Sequence, residues 1–302
     1  MEGAVQVKTR NPDTMKSNKA FSLTRRILAP LDGAACVSRR DVRGDARLYL
    51  LMKTTRALTL IELLVVIAII AVLASLLMPV FSSVRQSGNR THAMGNLRQL
   101  SAGMILYANE HHGVLPWEGE DQPTWESAAL PENATAWYNA VPRALGTKGA
   151  GDFAAQPESF YTRKNLLFIP AAQYPGDKKN RLYFAVSMNS KLRSEDVAVE
   201  SARLVNIGQP ARTVLLQESG LPGEKPLPGQ SAGAYDGRAS SYAAQTVARY
   251  SGKSQLVFAD GHVELLDAKD VVDPRGQAFF PQIGDQGGKV LWTLDPTADA
   301  NE

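Results

Sequence analysis

A carboxylate at the edge of an apolar run is the first side chain in this sequence that invites a chemical role. From Leu63 to Met78 only Ser75 is polar, and the wider stretch Leu58 to Phe81 adds Thr59, Glu62 and Pro79. Glu62 admits two uses. Thr59-Leu60-Ile61-Glu62 has the S/T-x-x-E spacing in which the two side chains satisfy the first backbone donors of a helix. The other use is a charge pair with a cation on another chain. Cleavage between Ala57 and Leu58 would create such a cation, a new α-amino group four residues from Glu62.

Three further sets resemble ligand or catalytic clusters and are better explained otherwise. His111-His112 has neither the H-E-x-x-H spacing nor a cysteine partner of a zinc site. A polar helix end followed by Gly113 is the simpler reading. Asp260 and His262 flank Gly261, and an Asp-Gly turn accounts for them without catalysis. Asp236, Asp260 and Asp267 offer oxygen ligands for calcium, but without EF-hand spacing. P-loop, dinucleotide, nucleophile-elbow and CxxC motifs are absent, so the expectation is a protein that is not an enzyme and holds no cofactor.

The elements that must position these residues begin with the apolar run. Its 24 residues from Leu58 to Phe81 make a helix of roughly 36 Å, enough to span a hydrocarbon core of ~30 Å. Residues 1–57 carry 12 Lys/Arg against 5 Asp/Glu, a net of +7, and residues 58–302 carry 21 against 25, a net of −4. Lys53 and Arg56 precede the run, so the charge bias keeps the N-terminus in the cytoplasm. The overall +3 therefore belongs to the leader, and a nucleic acid partner is not expected. Cys36, the single cysteine, lies in that leader, so the remainder has no disulfide to depend on.

Lys53-Thr-Thr-Arg-Ala-Leu-Thr-Leu-Ile-Glu62, followed by Leu-Leu-Val-Val-Ile-Ala-Ile-Ile, resembles the class III signal of type IV prepilins and type II secretion pseudopilins. The resemblance implies cleavage by a prepilin peptidase between Ala57 and Leu58, followed by N-methylation of Leu58. It assigns Glu62 to pairing with a neighbouring subunit's N-terminus, and Pro79 to the place of a helix-bending proline. The family prefers glycine at the position of Ala57 and phenylalanine at that of Leu58. The implied partners are the peptidase/methyltransferase, other pilin-like subunits and the membrane. The implied location is the bacterial inner membrane, crossed once, with the C-terminal domain in the periplasm, or at the cell surface after assembly. Met52 to Ala57 would suffice as a leader, so residues 1–51 read as an over-extended start, with a genuine cytoplasmic extension as the alternative.

The expected organisation is α+β and pilin-like: a leader over 1–57, a transmembrane helix over 58–81, its amphipathic continuation over 82–112 and a globular domain over 113–302 with an antiparallel sheet. Met94, Leu97, Leu100, Met104, Tyr107 and Ala108 recur at helical spacing on one face. Removal of a donor at Pro79 predicts a bend or local melting. Strands are expected at Asn165–Ile169, Leu182–Met188 and Arg212–Glu218. In Gln255–Leu266 an Asp260-Gly261 two-residue turn pairs Phe258 with Val263 and Leu256 with Leu265 on one face. The long irregular stretch Ser219–Ser240 suggests mobility or a contact role. An alternative function is an anchored surface-binding protein, adhesive or carbohydrate-contacting, that uses Trp117, Trp125 or this stretch.

Overall fold

The computed structural model describes residues 59–192, 202–283 and 287–302. Its arrangement is α+β: one long helix followed by a domain built on a five-stranded sheet. Helix α1 runs unbroken from Leu60 to Glu110. It passes through Pro79 without the expected local melting. A single missing N–H removes one of many helical bonds, and nearby hydroxyls cap carbonyls on either side. Ser82 donates to the Pro79 carbonyl at 2.8 Å and Ser75 to that of Val72 at 2.7 Å.

The second half of α1 is the wall on which the domain is assembled. Ala93, Leu97, Leu100, Met104 and Ala108 are buried. Helix α3 (Trp137–Ala144) crosses against them at Gly103. A β-carbon there would sit 2.8 Å from a methyl of Val141 and 2.9 Å from one of Leu145, so the missing side chain sets the approach of the two helices. Two short α-helices, α2 (Trp125–Ala128) and α4 (Ala268–Val271), lie elsewhere among the described residues.

The strands are β1 (Val186–Asn189), β2 (Val214–Glu218), β3 (Ser240–Ser241), β4 (Lys253–Phe258) and β5 (Val263–Asp267), in the order β3-β1-β2-β4-β5. All neighbouring pairs are antiparallel except β1 with β3. On one face Val186, Leu215 and Val257 belong to the same buried cluster as the α1 stripe, with Trp137, Phe160 and Phe184, and β4 and β5 are strands that meet α1. The other face is covered by the C-terminal segment, where Val290 and Trp292 meet Val214, Leu256, Phe258 and Leu266. Coverage of both faces explains why every residue of β2 is buried, the polar Gln217 and Glu218 included.

Three expectations about strands need correction. Asn165–Ile169 is a succession of turns, closed by Phe168 N–H to the Asn165 carbonyl at 3.2 Å and Ala172 N–H to that of Ile169 at 3.1 Å, with two of its carbonyls held by α1. The buried Asn96 side chain donates to the carbonyls of Asn165 at 3.3 Å and Phe168 at 2.9 Å. The strand expected at Leu182–Met188 is regular only over Val186–Asn189, and that expected at Arg212–Glu218 only over Val214–Glu218, with Thr213 adding an isolated bridge to Leu291. The β4–β5 register differs by one residue: Val257 faces Val263 and Leu256 faces Glu264. Only Gly261, at φ 98, takes the left-handed conformation, whereas a two-residue turn needs it at both positions. The loop is therefore Ala259-Asp260-Gly261, closed by Gly261 N–H to the Phe258 carbonyl at 2.9 Å and Phe258 N–H to that of His262 at 3.0 Å. A one-residue slip exchanges faces, so Val263 and Leu265 join the α1 side and Leu266 the opposite side.

Candidate functional site

The first half of α1 has none of this cover. From Leu60 to Val84 the least exposed large apolar side chains, Val65 and Val66, are still 49% exposed, and Leu60 reaches 81%. The most apolar window of this helix, with mean hydropathy 3.0, has no residue buried within the chain. An apolar surface of this size on a soluble subunit marks a membrane or protein contact. Length and composition allow this helix to cross a membrane.

Thr59 and Glu62 sit at its start. Glu62 accepts the Thr59 N–H at 2.8 Å and the Thr59 hydroxyl at 2.9 Å, and the Thr59 hydroxyl oxygen accepts the Glu62 N–H at 3.3 Å. That is a closed capping box in an exposed setting. It holds the carboxylate over the first helical donors, where the helix dipole favours negative charge. The same placement leaves Glu62 open to a cation arriving from outside the chain. Ala57 and Leu58, the expected processing pair, lie outside the described residues, as does the leader. Pro79 lies within the bare segment, about 29 Å along the axis from Leu60 at ~1.5 Å per residue.

The other sequence candidates separate. Asp260 accepts from the His262 ring at 2.6 Å, Asp236 pairs with Arg238 at 2.6 Å, and Asp267 pairs with Lys253 at 3.3 Å. Among the described residues no group of three or more His, Cys, Asp or Glu side chains stands close enough to hold a metal ion. His111 caps α1 and stacks on Tyr107 with ring centres 4.0 Å apart, while His112 takes a positive φ of 55 at the helix exit. Trp125 is buried and donates its indole N–H to the Lys178 carbonyl at 2.7 Å. Trp137 does the same to Ala239 at 2.9 Å. Trp117 is the exposed member of the three, at 36%.

Ser219–Ser240 is irregular but tied down. Leu221 and Tyr235 are buried, and the Tyr235 ring packs over Gly220, where any β-carbon would overlap it. Its anchor is a buried ion triad that pattern reading missed. Arg249 donates to Glu224 at 2.9 and 2.5 Å, to Glu218 at 3.1 Å and to the Ser219 carbonyl at 2.7 Å. Tyr250 donates to the second Glu218 oxygen at 2.8 Å. Burial works against the Arg249 charge, but the two carboxylates outweigh it and hold its pKa above the ordinary value. Burial pushes the Glu218 carboxyl up, against the pull of Arg249 and Tyr250. No spacing signal joins residues 218, 224 and 249; only the rarity of buried charges could have pointed to them.

Residues 52–78 match the family model described as the prokaryotic N-terminal methylation motif, which covers the basic flank, Ala57, Leu58, Glu62 and most of the bare apolar helix. This is the signature of type IV prepilin-like proteins, and the class it marks is structural. No curated protein and no solved structure matches the chain.

Proposed function

We propose that this chain is a structural subunit of a type II secretion pseudopilus or a type IV pilus-like filament. In this reading a prepilin peptidase cuts between Ala57 and Leu58 on the cytoplasmic side and methylates the new α-amino group of Leu58. The product stays in the inner membrane through α1, with its sheet domain in the periplasm, until its helix transfers into a bundle of like helices.

The observation that carries the reading is the uncovered surface from Leu60 to Val84, headed by one carboxylate. Lipid tails are as apolar as these side chains, so the bilayer stores the helix without committing it. A bundle of subunits then buries what the bilayer first covered. In that dry setting a charge pair between Glu62 and a neighbour's N-terminus is far stronger than in water, and it sets the axial register.

With Cys36 in the leader, the part after Ala57 has no cysteine, which permits a direct test. A chain carrying Cys36→Ser and Ala71→Cys is co-expressed with a prepilin peptidase and the remaining assembly proteins, then oxidised in the membrane. Disulfide-linked dimers that require an active peptidase support assembly. Chains that remain monomeric although cut, or that cross-link equally without the peptidase, would leave only an anchor.

A further inference from the structure

The bare surface of α1 ends at Val84, and Arg85, Gln86, Ser87 and Arg90 follow directly. At ~1.5 Å per residue these lie about 1.5–9 Å beyond the apolar surface. That is the depth of the headgroup layer, roughly 5–7 Å on each side of the hydrocarbon core.

At this level the helix meets the turn Tyr250-Ser251-Gly252-Lys253. Tyr250 and Lys253 exchange backbone hydrogen bonds, each of 3.2 Å. Ser251 and Gly252 take φ values of 53 and 84, the left-handed pair that a two-residue turn requires. Between turn and helix lies a pocket of about 130 Å³ lined by Gln86, Ser87, Arg90, Tyr250, Ser251 and Lys253. Two cations, two aliphatic hydroxyls and a carboxamide converge there, and no carboxylate is among the lining residues. The wall is fixed from behind, because the buried Gln255 donates its side-chain amide to the Arg90 carbonyl at 3.1 Å. Asp267 pairs with Lys253 at 3.3 Å, whereas Arg90 is exposed and forms no ion pair among the described residues.

The positive charge continues round the helix at the same height. Asn89 accepts from the Arg163 guanidinium at 2.5 Å and donates to the Pro170 carbonyl at 3.4 Å, which brings exposed Arg163 and Lys164 to the base of the domain.

We propose that the pocket between Gln86–Arg90 and the Tyr250–Lys253 turn binds the phosphate of an anionic phospholipid. Arg85, Arg163 and Lys164 gather further anionic headgroups around the stalk. The domain is thereby held upright on the membrane by its own base. This rests on the membrane-spanning part of the proposed function and not on processing or assembly.

The test uses the full chain, purified in zwitterionic detergent and titrated with phosphatidylglycerol or phosphatidylcholine, with bound lipid counted by native mass spectrometry. Each cation beside an anionic surface is worth about a factor of five, so Arg90→Gln with Lys253→Gln weakens phosphatidylglycerol binding roughly 25-fold. Phosphatidylcholine binding is unchanged, and Arg90→Lys with Lys253→Arg retains most of the preference. Equal affinity for the two lipids, or phosphatidylglycerol binding that survives the double glutamine change, overturns the proposal. Displacement of the lipid by an equal concentration of inorganic phosphate would assign the pocket to a soluble anion instead. Alkaline extraction of the same variants from membranes checks the spanning helix separately.

Discussion

Replacing Arg249 with methionine tests how the sheet domain is held together. The Arg249 side chain is 4% exposed, and its guanidinium contacts Glu218 and Glu224, whose side chains are 0% and 6% exposed. Methionine keeps much of the volume and removes the charge, leaving two carboxylates without their cation. Removing one partner of a buried pair costs about 3–5 kcal/mol. That is a large share of the ~5–15 kcal/mol by which a domain of this kind is stable. Glu224 also accepts the backbone N–H groups of Gln173 at 3.1 Å and Leu221 at 2.9 Å, so the loss spreads into both segments. The assay is denaturant unfolding of the full chain in detergent micelles, followed by fluorescence of the buried Trp125, Trp137 and Trp292.

The pH dependence separates this cause from a simple packing defect. Burial already raises the Glu218 carboxyl above its ordinary 4.5, and Arg249 pulls it back. Without Arg249 the folded-state pKa climbs further. A raised carboxyl pKa contributes stability that is full below the unfolded value and is lost as pH rises through the folded one. The deficit of the variant is therefore smallest at and below the ordinary carboxyl range and grows as pH rises above it. Adding Glu218→Gln and Glu224→Gln should recover part of it. A loss under about 1 kcal/mol, or one that does not change with pH, would show that the triad does not hold this part of the domain together.

Gly103→Ala gains about 1 kcal/mol of helix propensity but forces a methyl against Val141 and Leu145, an overpacking of about 1–3 kcal/mol. A net loss of roughly 1 kcal/mol is expected from denaturant midpoints, and stabilisation would show that α1 and α3 have slack there. At Asp273, burial opposes the charge, yet the N–H groups of Gln277 and Arg275 and the Arg275 side chain outweigh it and hold the carboxyl below its ordinary 3.8. A depressed pKa gives stability that is present above the unfolded value and lost as pH falls through the folded one. Unfolding below about pH 4 should then be steeper in the wild type than in Asp273→Asn, and parallel curves would contradict this. Glu62→Ala removes the carboxylate without touching the apolar surface, so membrane insertion stays intact while helix cross-linking through Ala71→Cys is lost. Cross-linking at the wild-type level would reduce Glu62 to a helix cap.

The legible parts of this molecule were those written in one contiguous segment. The apolar run, its Thr59–Glu62 cap and the buried stripe Leu97, Leu100, Met104 and Ala108 all follow from local spacing. The hairpin was visible, but its register was not. Asp260-Gly261 fits either a two-residue turn or the end of a three-residue loop, and the choice falls to the packing of Phe258 and Leu266 under Trp292. Asn165–Ile169 has the composition of a strand, yet Asn96 takes its carbonyls from 69 or more residues away. The Glu218–Arg249–Glu224 triad and the Arg90–Lys253 pocket join distant segments through charge, which carries no periodicity. The bare half of α1 was plain in sequence for a related reason: among the described residues nothing covers it, so its pattern owes nothing to the contacts of the sheet domain.

The proposed role stands on processing at one peptide bond. Mass spectrometry of the chain recovered from membranes of a host with an active prepilin peptidase reads the start site, the cut and the methyl group together. The expected species begins at Leu58, carries a methyl on its α-amino nitrogen and disappears when the peptidase is inactivated. A chain recovered with Met52-Lys53 still attached in the presence of active peptidase would contradict it.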